Sequence, residues 1–140
     1  MKHKTRLALP LAALALLGAA QPDRETKPGE GVMCLGTFIY FVEKTGAMCR
    51  PGQDKEFQDR IAGYTDRIDA YFIRNTDGNP ATLEKFKDGQ NLNSQDRAYI
   101  CGGDVARTYD DFLKIEAAKM DEWVDKLLER DGPPTFGDCV

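Results

Sequence analysis

The sequence predicts an all-α protein, a small disulfide-stapled bundle of about four to five helices. Three observations predict this fold. Residues Asp54 to Arg74 carry a single apolar stripe at helical spacing, and Ser94 to Arg130 follow a helical pattern throughout. Four cysteines occur in a chain that begins like an export signal, and small exported domains are commonly held together by disulfides.

The first twenty residues have the three parts of a secretory signal peptide. Residues 2–6 carry three positive charges, Leu7 to Leu17 are almost wholly apolar, and Gly18 to Ala20 are small. The apolar stretch from Leu7 to Ala20 is shorter than the roughly 20 residues that a membrane span needs. We therefore expect a signal peptide over residues 1–20 and a periplasmic or secreted mature protein.

The mature chain is expected to be acidic and to form one domain. Loss of the signal leaves 16 basic and 23 acidic residues, a net charge of −7. This charge disfavours nucleic acid and anionic lipid as partners, and no further apolar run is expected to span a membrane after signal cleavage. Residues 21–31 are predicted to be a flexible leader and 32–140 a single helical domain.

The first two helices of this domain are predicted from different signals. Val32 to Thr45 are apolar on every side, so periodicity alone does not separate a helix from a strand. No convincing strand is available to pair with this segment, which favours a buried helix ended by Gly46. The next helix, from an Asp54 cap to Arg74, buries its stripe: Phe57, Ile61, Tyr64, Ile68 and Tyr71.

The remaining helices follow from capping and breaking residues. Asn79-Pro80 is typical of a helix start, and Gly89 of its end. Ser94 is a suitable cap for the long run that follows. Gly102-Gly103 predicts a break there, with the longer piece from Asp104 to Arg130.

The four cysteines are predicted to form two structural disulfides. Cys34 and Cys49 lie roughly 20 Å apart if the first helix is real, so they are not expected to pair. If the helices alternate up and down, the pairs are Cys34–Cys101 and Cys49–Cys139. No Cys-x-x-Cys occurs, so neither a redox site nor a metal site is predicted, and no cofactor is expected.

Catalytic residue types are scarce. The one histidine, His3, lies in the signal, and the one serine, Ser94, has a capping role. The commonest general base is thus missing from the mature chain and the commonest nucleophile nearly so, which is why no catalytic residue is assigned and a non-enzymatic protein is predicted. The carboxylate clusters are interpreted as charged helix faces: Asp66 with Asp69, Asp110 with Asp111, and Asp121 with Glu122 and Asp125.

One apolar segment is a candidate partner surface. Tyr71, Phe72 and Ile73 widen the apolar face of the second helix near its end. They either bury against the short helix that carries Leu83 and Phe86 or remain available to a partner. We assign them as the predicted partner surface.

Part of the chain resembles a known family. Cys34-Leu35-Gly36, then Cys49-Arg50-Pro51-Gly52, then a helix ending in Tyr71-Phe72-Ile73-Arg74-Asn75 are similar to Rap/Tai-type periplasmic immunity proteins. The resemblance covers about residues 34–75. It implies a helical periplasmic protein that binds and blocks a toxic cell-wall amidase delivered by a type VI secretion system. The region after Gly89 departs from the family pattern, so no toxin-contacting residue is carried over.

These observations favour an exported, non-enzymatic protein that binds another envelope or secreted protein, with an inhibitor or immunity protein as one form. Two alternatives remain. A small-ligand carrier requires a cavity between the first and last helices. A carboxylate-based hydrolase requires an acid with a strongly raised pKa in a cleft.

Overall fold

The structure is a computed structural model that describes residues 25–137, so the predicted signal peptide and Cys139 lie outside it. The predicted all-α fold is confirmed. Six helices follow one another: α1 Val32–Cys49, α2 Lys55–Arg74, α3 Pro80–Gly89, α4 Arg97–Ile100, α5 Gly103–Leu113 and α6 Ala117–Leu128. Over residues 25–137 the only β pairing is an isolated parallel bridge between Glu30 and Thr135.

Helix α1 is the centre of the bundle. It packs on α2 along one side and on α4 and α5 along another, and Val32, Ile39 and Val42 are fully buried. The helix continues past Gly46, which was predicted to end it. A Cβ atom at Gly46 would lie 2.9 Å from Gln58 Cδ and 3.1 Å from Tyr109 Cε2. Gly46 therefore permits close packing of α2 and α5 on α1.

Among the described helices, α1 alone is long and apolar enough to cross a membrane, judged by length and composition. From the sequence, no further run of this kind was expected after the signal peptide. Nearly half of α1 is buried in the bundle, and core helices of soluble proteins have the same properties.

Helix α2 runs antiparallel to α1 and supplies the predicted apolar stripe to the core. All five stripe residues are buried, as predicted. Asp54 occupies the N-cap position, but its side chain does not cap the helix. Asp54 instead accepts a hydrogen bond of 3.1 Å from the Tyr109 hydroxyl, which links α2 to α5.

Helix α3 begins and ends where the sequence predicts. The Asn79 side chain accepts a hydrogen bond from the Ala81 N–H, Pro80 is the first helical residue, and Gly89 is the last. Phe86 stacks on Phe72 of α2 with ring centroids 5.3 Å apart. The short helix thus packs against α2.

The segment Ser94 to Arg130 forms three helices. The predicted break at Gly102-Gly103 is confirmed, with Gly103 at a φ of +54°. The predicted cap is wrong: Asp96, not Ser94, accepts hydrogen bonds from the Ala98 and Tyr99 N–H groups.

A second break, at residues 114–116, was not predicted. A straight helix from Asp104 to Arg130 would be about 40 Å long, well beyond the roughly 30 Å of α2. The chain bends so that Ile115 packs against the core, α5 covers α1 and α6 covers α2. The bundle therefore has more helices than the four to five predicted.

The C-terminal segment closes against the start of the domain. Thr135 accepts hydrogen bonds from the N–H groups of Gly31 and Met33 and donates one to the Gly29 carbonyl. The Tyr71 hydroxyl donates to the carbonyls of Arg130 and Gly132. Residues 25–31, inside the predicted flexible leader, thus contact the tail, a contact that the sequence did not predict.

The disulfide pairing differs from the prediction. Cys49 is bonded to Cys101, with Cα atoms 5.6 Å apart, so neither Cys34–Cys101 nor Cys49–Cys139 forms. The prediction overlooked that α3 and residues 90–96 return the chain to the end of α1 where Cys49 lies. Cys34 is also disulfide-bonded.

Candidate functional site

The predicted partner surface is not exposed. Tyr71 and Phe72 are 1% and 5% exposed, and Ile73 is half-buried. Phe72 stacks on Phe86, so the segment is buried against α3, the other outcome that the sequence allowed. Tyr71 to Ile73 therefore stabilise the fold and do not form a docking surface.

A different set of rings, two of them exposed and two partly buried, lies on the side of α1 that faces α4 and α5. Phe38 and Phe41 lie one turn apart on α1. The ring centroid of Phe112 on α5 lies 6.4 Å from that of Phe38. The ring centroid of Tyr99 on α4 lies 6.2 Å from that of Phe41. Phe38 and Tyr99 are 44% and 40% exposed. We call these four residues the aromatic patch.

The composition of α1 explains why this patch exists. Over residues 32–42 the helix has apolar residues on every side, and its neighbours do not cover all of it. The Cys49–Cys101 disulfide and a hydrogen bond from the Arg97 guanidinium to the Met48 carbonyl hold α4 beside the end of α1. Tyr99 is thereby placed next to Phe41. The lack of a polar face in residues 32–42 was the sequence signal for this patch.

A polar cluster links α1, α2 and α3. The Tyr40 hydroxyl donates to Asp69 Oδ1 at 2.5 Å, and Lys87 Nζ donates to Asp69 Oδ2 at 2.9 Å. The Lys87 ammonium also lies 4.7 Å from the centroid of the Tyr40 ring. Burial, reinforced by the Asp69 carboxylate, raises the pKa of Tyr40 far above its ordinary value, so the hydroxyl keeps its proton. These groups satisfy one another and tie three helices together.

Glu43 lies one turn further along α1 and is half-buried. Burial raises the pKa of its carboxyl above the ordinary value; the Thr65 hydroxyl and Lys87 oppose this, and Asp69 and Asp66 add to it. The Thr65 hydroxyl faces Glu43 but is buried without a partner in hydrogen-bonding geometry. Sequence reasoning missed Glu43, although a carboxylate in the most apolar segment of the mature chain was a usable signal.

Glu43 lines a groove of about 220 Å³ between α1 and α2. This volume is below the roughly 300–1,000 Å³ of small-molecule sites. The groove's remaining lining comes from α1, α2 and Tyr109 of α5: Val42, Ala47, Phe57, Gln58, Asp59, Ile61 and Ala62. It is therefore not the cavity between the first and last helices that a small-ligand carrier requires.

The carboxylates singled out in the sequence mostly join helices. Asp110 pairs with Arg50 at 2.7 Å and Asp125 with Arg67 at 2.7 Å, while Asp121 accepts a hydrogen bond from the Tyr64 hydroxyl. Within residues 25–137, no group of three or more His, Cys, Asp or Glu side chains is arranged to hold a metal ion.

No protein-family model matches the chain, and neither a curated protein nor a solved structure is detectably similar to it.

Proposed function

We propose that this protein is exported, has no enzymatic activity, and acts by binding another envelope or secreted protein through the aromatic patch. The observation that supports this most directly is the exposure of Phe38 and Tyr99 within a four-ring cluster. Clustered exposed apolar residues mark interaction sites, and aromatic side chains are enriched at the centres of protein interfaces.

The frame beneath the patch favours tight binding. Two of its four rings lie on α1 and a third on α4, and the Cys49–Cys101 disulfide joins these helices next to Tyr99. Rings held on a rigid frame lose little conformational entropy when a partner docks. Disulfides form in oxidising compartments, so the partner is expected in the envelope or outside the cell.

The more specific proposal is that the protein is an inhibitor or immunity protein. Its support is the resemblance over residues 34–75 to Rap/Tai-type immunity proteins, which implies a cell-wall amidase as the target. The resembling region contains Phe38 and Phe41 of the aromatic patch.

Site-specific photocrosslinking tests the binding surface. A benzoylphenylalanine placed at Phe38 or Tyr99 is expected to give the same crosslinked envelope protein. Trp123 of α6 is the matched control, because it is 40% exposed and lies outside the patch. Equal crosslinking at all three positions, or none at Phe38 and Tyr99, would contradict the proposal.

The captured protein then tests the inhibitor form. A cell-wall amidase is expected, and the oxidised wild-type protein should inhibit it. The double variant Phe38→Ala/Tyr99→Ala should leave the amidase active. A captured partner without amidase activity would reject the immunity form and leave the binding function in place.

A carboxylate-based hydrolase is the second candidate, favoured by Glu43, an acid with a raised pKa that lines a groove. Asp69, the acid whose charge acts most on Glu43, already accepts hydrogen bonds from Tyr40 and Lys87. Hydrolysis of cell-wall glycan or peptide that is abolished by Glu43→Gln would establish this candidate. Hydrolysis that is absent, or unchanged in Glu43→Gln, would reject it.

A further inference from the structure

The groove between α1 and α2 has apolar walls and a carboxylate at one end. Ala47 of α1 and Ala62 of α2 are small and leave it open, and Phe57 and Ile61 form part of its floor. Long basic side chains place their aliphatic stems along such surfaces and keep the charged head near polar groups.

The charge of the groove is negative and incompletely balanced. No lysine or arginine of the described residues forms an ion pair with Glu43, since the nearby Lys87 is bonded to Asp69. Asp59, also in the lining, pairs with Lys55, but both side chains are well exposed. An exposed pair of this kind is weak and is readily exchanged for another cation.

Thr65 supplies a hydroxyl donor beside the Glu43 carboxyl. It is 7% exposed, its hydroxyl has no hydrogen-bond partner, and it faces the Glu43 carboxyl. Gln58, Ala62 and Thr65 follow one another along one face of α2, so Thr65 lies beyond the Glu43 end of the groove. A cation bound to Glu43 would keep the carboxylate ionised, and an ionised carboxylate is the better acceptor for this hydroxyl.

We propose that this groove binds a lysine or arginine side chain of a partner protein, with its stem between Ala47 and Ala62 and its cationic head at Glu43. The groove volume suits one long side chain rather than a larger ligand. The acidic balance of the mature chain favours a basic partner surface.

The site is separate from the aromatic patch. Glu43 and Ala47 face α2, whereas Phe38 and Phe41 lie on the side of α1 towards α4 and α5. The inference therefore does not depend on the proposed function, and either one can fail alone.

An NMR titration of the oxidised protein tests the site, with N-acetyl-arginine amide and N-acetyl-lysine amide as probes. At least one probe is expected to shift the backbone amide signals of Glu43, Ala47 and Ala62. These shifts should saturate with a dissociation constant in the millimolar range. The pKa of Glu43, followed through its side-chain carboxyl signal, is expected to fall when the probe is bound. N-acetyl-citrulline amide, which is similar in shape but uncharged, is expected to leave these signals unchanged.

Two variants separate the charge from the shape of the groove. Glu43→Gln is expected to weaken probe binding about tenfold or more, and Ala62→Met, which fills the groove and keeps its charges, is expected to abolish it. Glu122→Gln, an exposed change on α6, is the control and should bind as the wild type does. Equal shifts with the citrulline probe, undiminished binding by Glu43→Gln, or no saturable shift with either basic probe would overturn the proposal.

Discussion

Asp69 accepts hydrogen bonds from two sides, from the Tyr40 hydroxyl and from the Lys87 ammonium. Both ionic side chains are largely withdrawn from solvent, at 28% and 14% exposure. Hydrogen bonds to a charged acceptor are worth more than neutral ones, and Tyr40→Phe leaves the carboxylate short of one donor.

We expect Tyr40→Phe to lower the free energy of unfolding by about 1.5–3 kcal/mol, measured by urea denaturation. Tyr64→Phe is the matched control. The Tyr64 hydroxyl also donates to a carboxylate, that of Asp121, but Asp121 is exposed and water replaces the lost donor. If Tyr64→Phe lowers the free energy of unfolding as much as Tyr40→Phe does, burial of the accepting carboxylate does not explain the effect.

Glu43 makes stability depend on pH in the opposite direction to a salt-bridged acid. Its pKa is raised in the folded state, chiefly by burial, so the folded protein binds the proton more tightly than the unfolded chain. The free energy of unfolding should therefore fall as pH rises from the ordinary glutamate pKa through the raised value. Below that window the carboxyl is protonated in both states and Glu43 contributes no pH dependence.

Glu43→Gln removes this titration, so we expect it to gain stability relative to the wild type as pH rises from the ordinary glutamate pKa through the raised value. Urea denaturation across this range measures the difference between the two proteins. Glu122→Gln, which removes an exposed carboxylate on α6, is the comparison variant. A constant difference between Glu43→Gln and the wild type at every pH would show that Glu43 titrates normally.

At the scale of helices, the elements with strong local signals were predictable. The stripe from Phe57 to Tyr71 placed α2, Asn79-Pro80 placed the start of α3, and Gly102-Gly103 placed the break before α5. The break after Leu113 carries no glycine or proline; it arises because α6 has to reach α2, a tertiary requirement that no local pattern records.

The candidate site was less predictable than the helices. Tyr71 and Phe72 form an apolar extension that α3 covers, whereas Phe38 and Phe41 belong to a helix that its neighbours leave partly uncovered. Both segments are apolar in the sequence, and residues 32–42 form the more apolar of the two. Only the packing directions of α3, α4 and α5 decide which one is exposed.

Helix α4 is a single turn and depends on its attachments. Asp96 caps its start, Arg97 bonds to the Met48 carbonyl, and the disulfide follows its end. An isolated helix of four residues is unstable, because nucleation costs more than so few bonds return. We therefore expect the disulfide to Cys49 to be the main interaction that holds α4 in place.

Replacing both Cys49 and Cys101 by Ser is expected to lower the free energy of unfolding by about 4 kcal/mol, from the chain-entropy model for their sequence separation of 52 residues. Hydrogen exchange should accelerate first at residues 97–101. Asp96→Ala is the comparison, since it removes only the cap and should cost about 1 kcal/mol. Unchanged protection of α4 in the double serine variant would show that packing alone holds it.

At the scale of the whole molecule, α1 is secured at both ends. The Cys49–Cys101 bond holds its C-terminal end, and the tail residue Thr135 bonds to Gly31 and Met33 at its N-terminal end. The sequence correctly excluded a Cys34–Cys49 bond, because helical rise separates these residues. The choice between the two remaining pairings depended on how far α3 carries the chain back along the bundle, which spacing alone does not give.

The structure leads to a specific disulfide map for the exported protein. Cys34 is disulfide-bonded, and Cys49 and Cys101 are bonded to each other, so within this chain Cys139 is the remaining partner. Cys139 follows Thr135 by four residues in the sequence, and Thr135 lies beside Met33, next to Cys34. We therefore predict Cys34–Cys139 as the second bond.

Tryptic digestion without reduction tests this map, because the four cysteines fall in four different peptides: 25–44, 45–55, 98–107 and 131–140. The expected products join 45–55 to 98–107, and 25–44 to 131–140, and both separate on reduction. A product joining 25–44 to 98–107 would restore the alternating arrangement of helices and contradict the position of α4. Free thiols at all four sites would remove the covalent frame on which the aromatic patch depends.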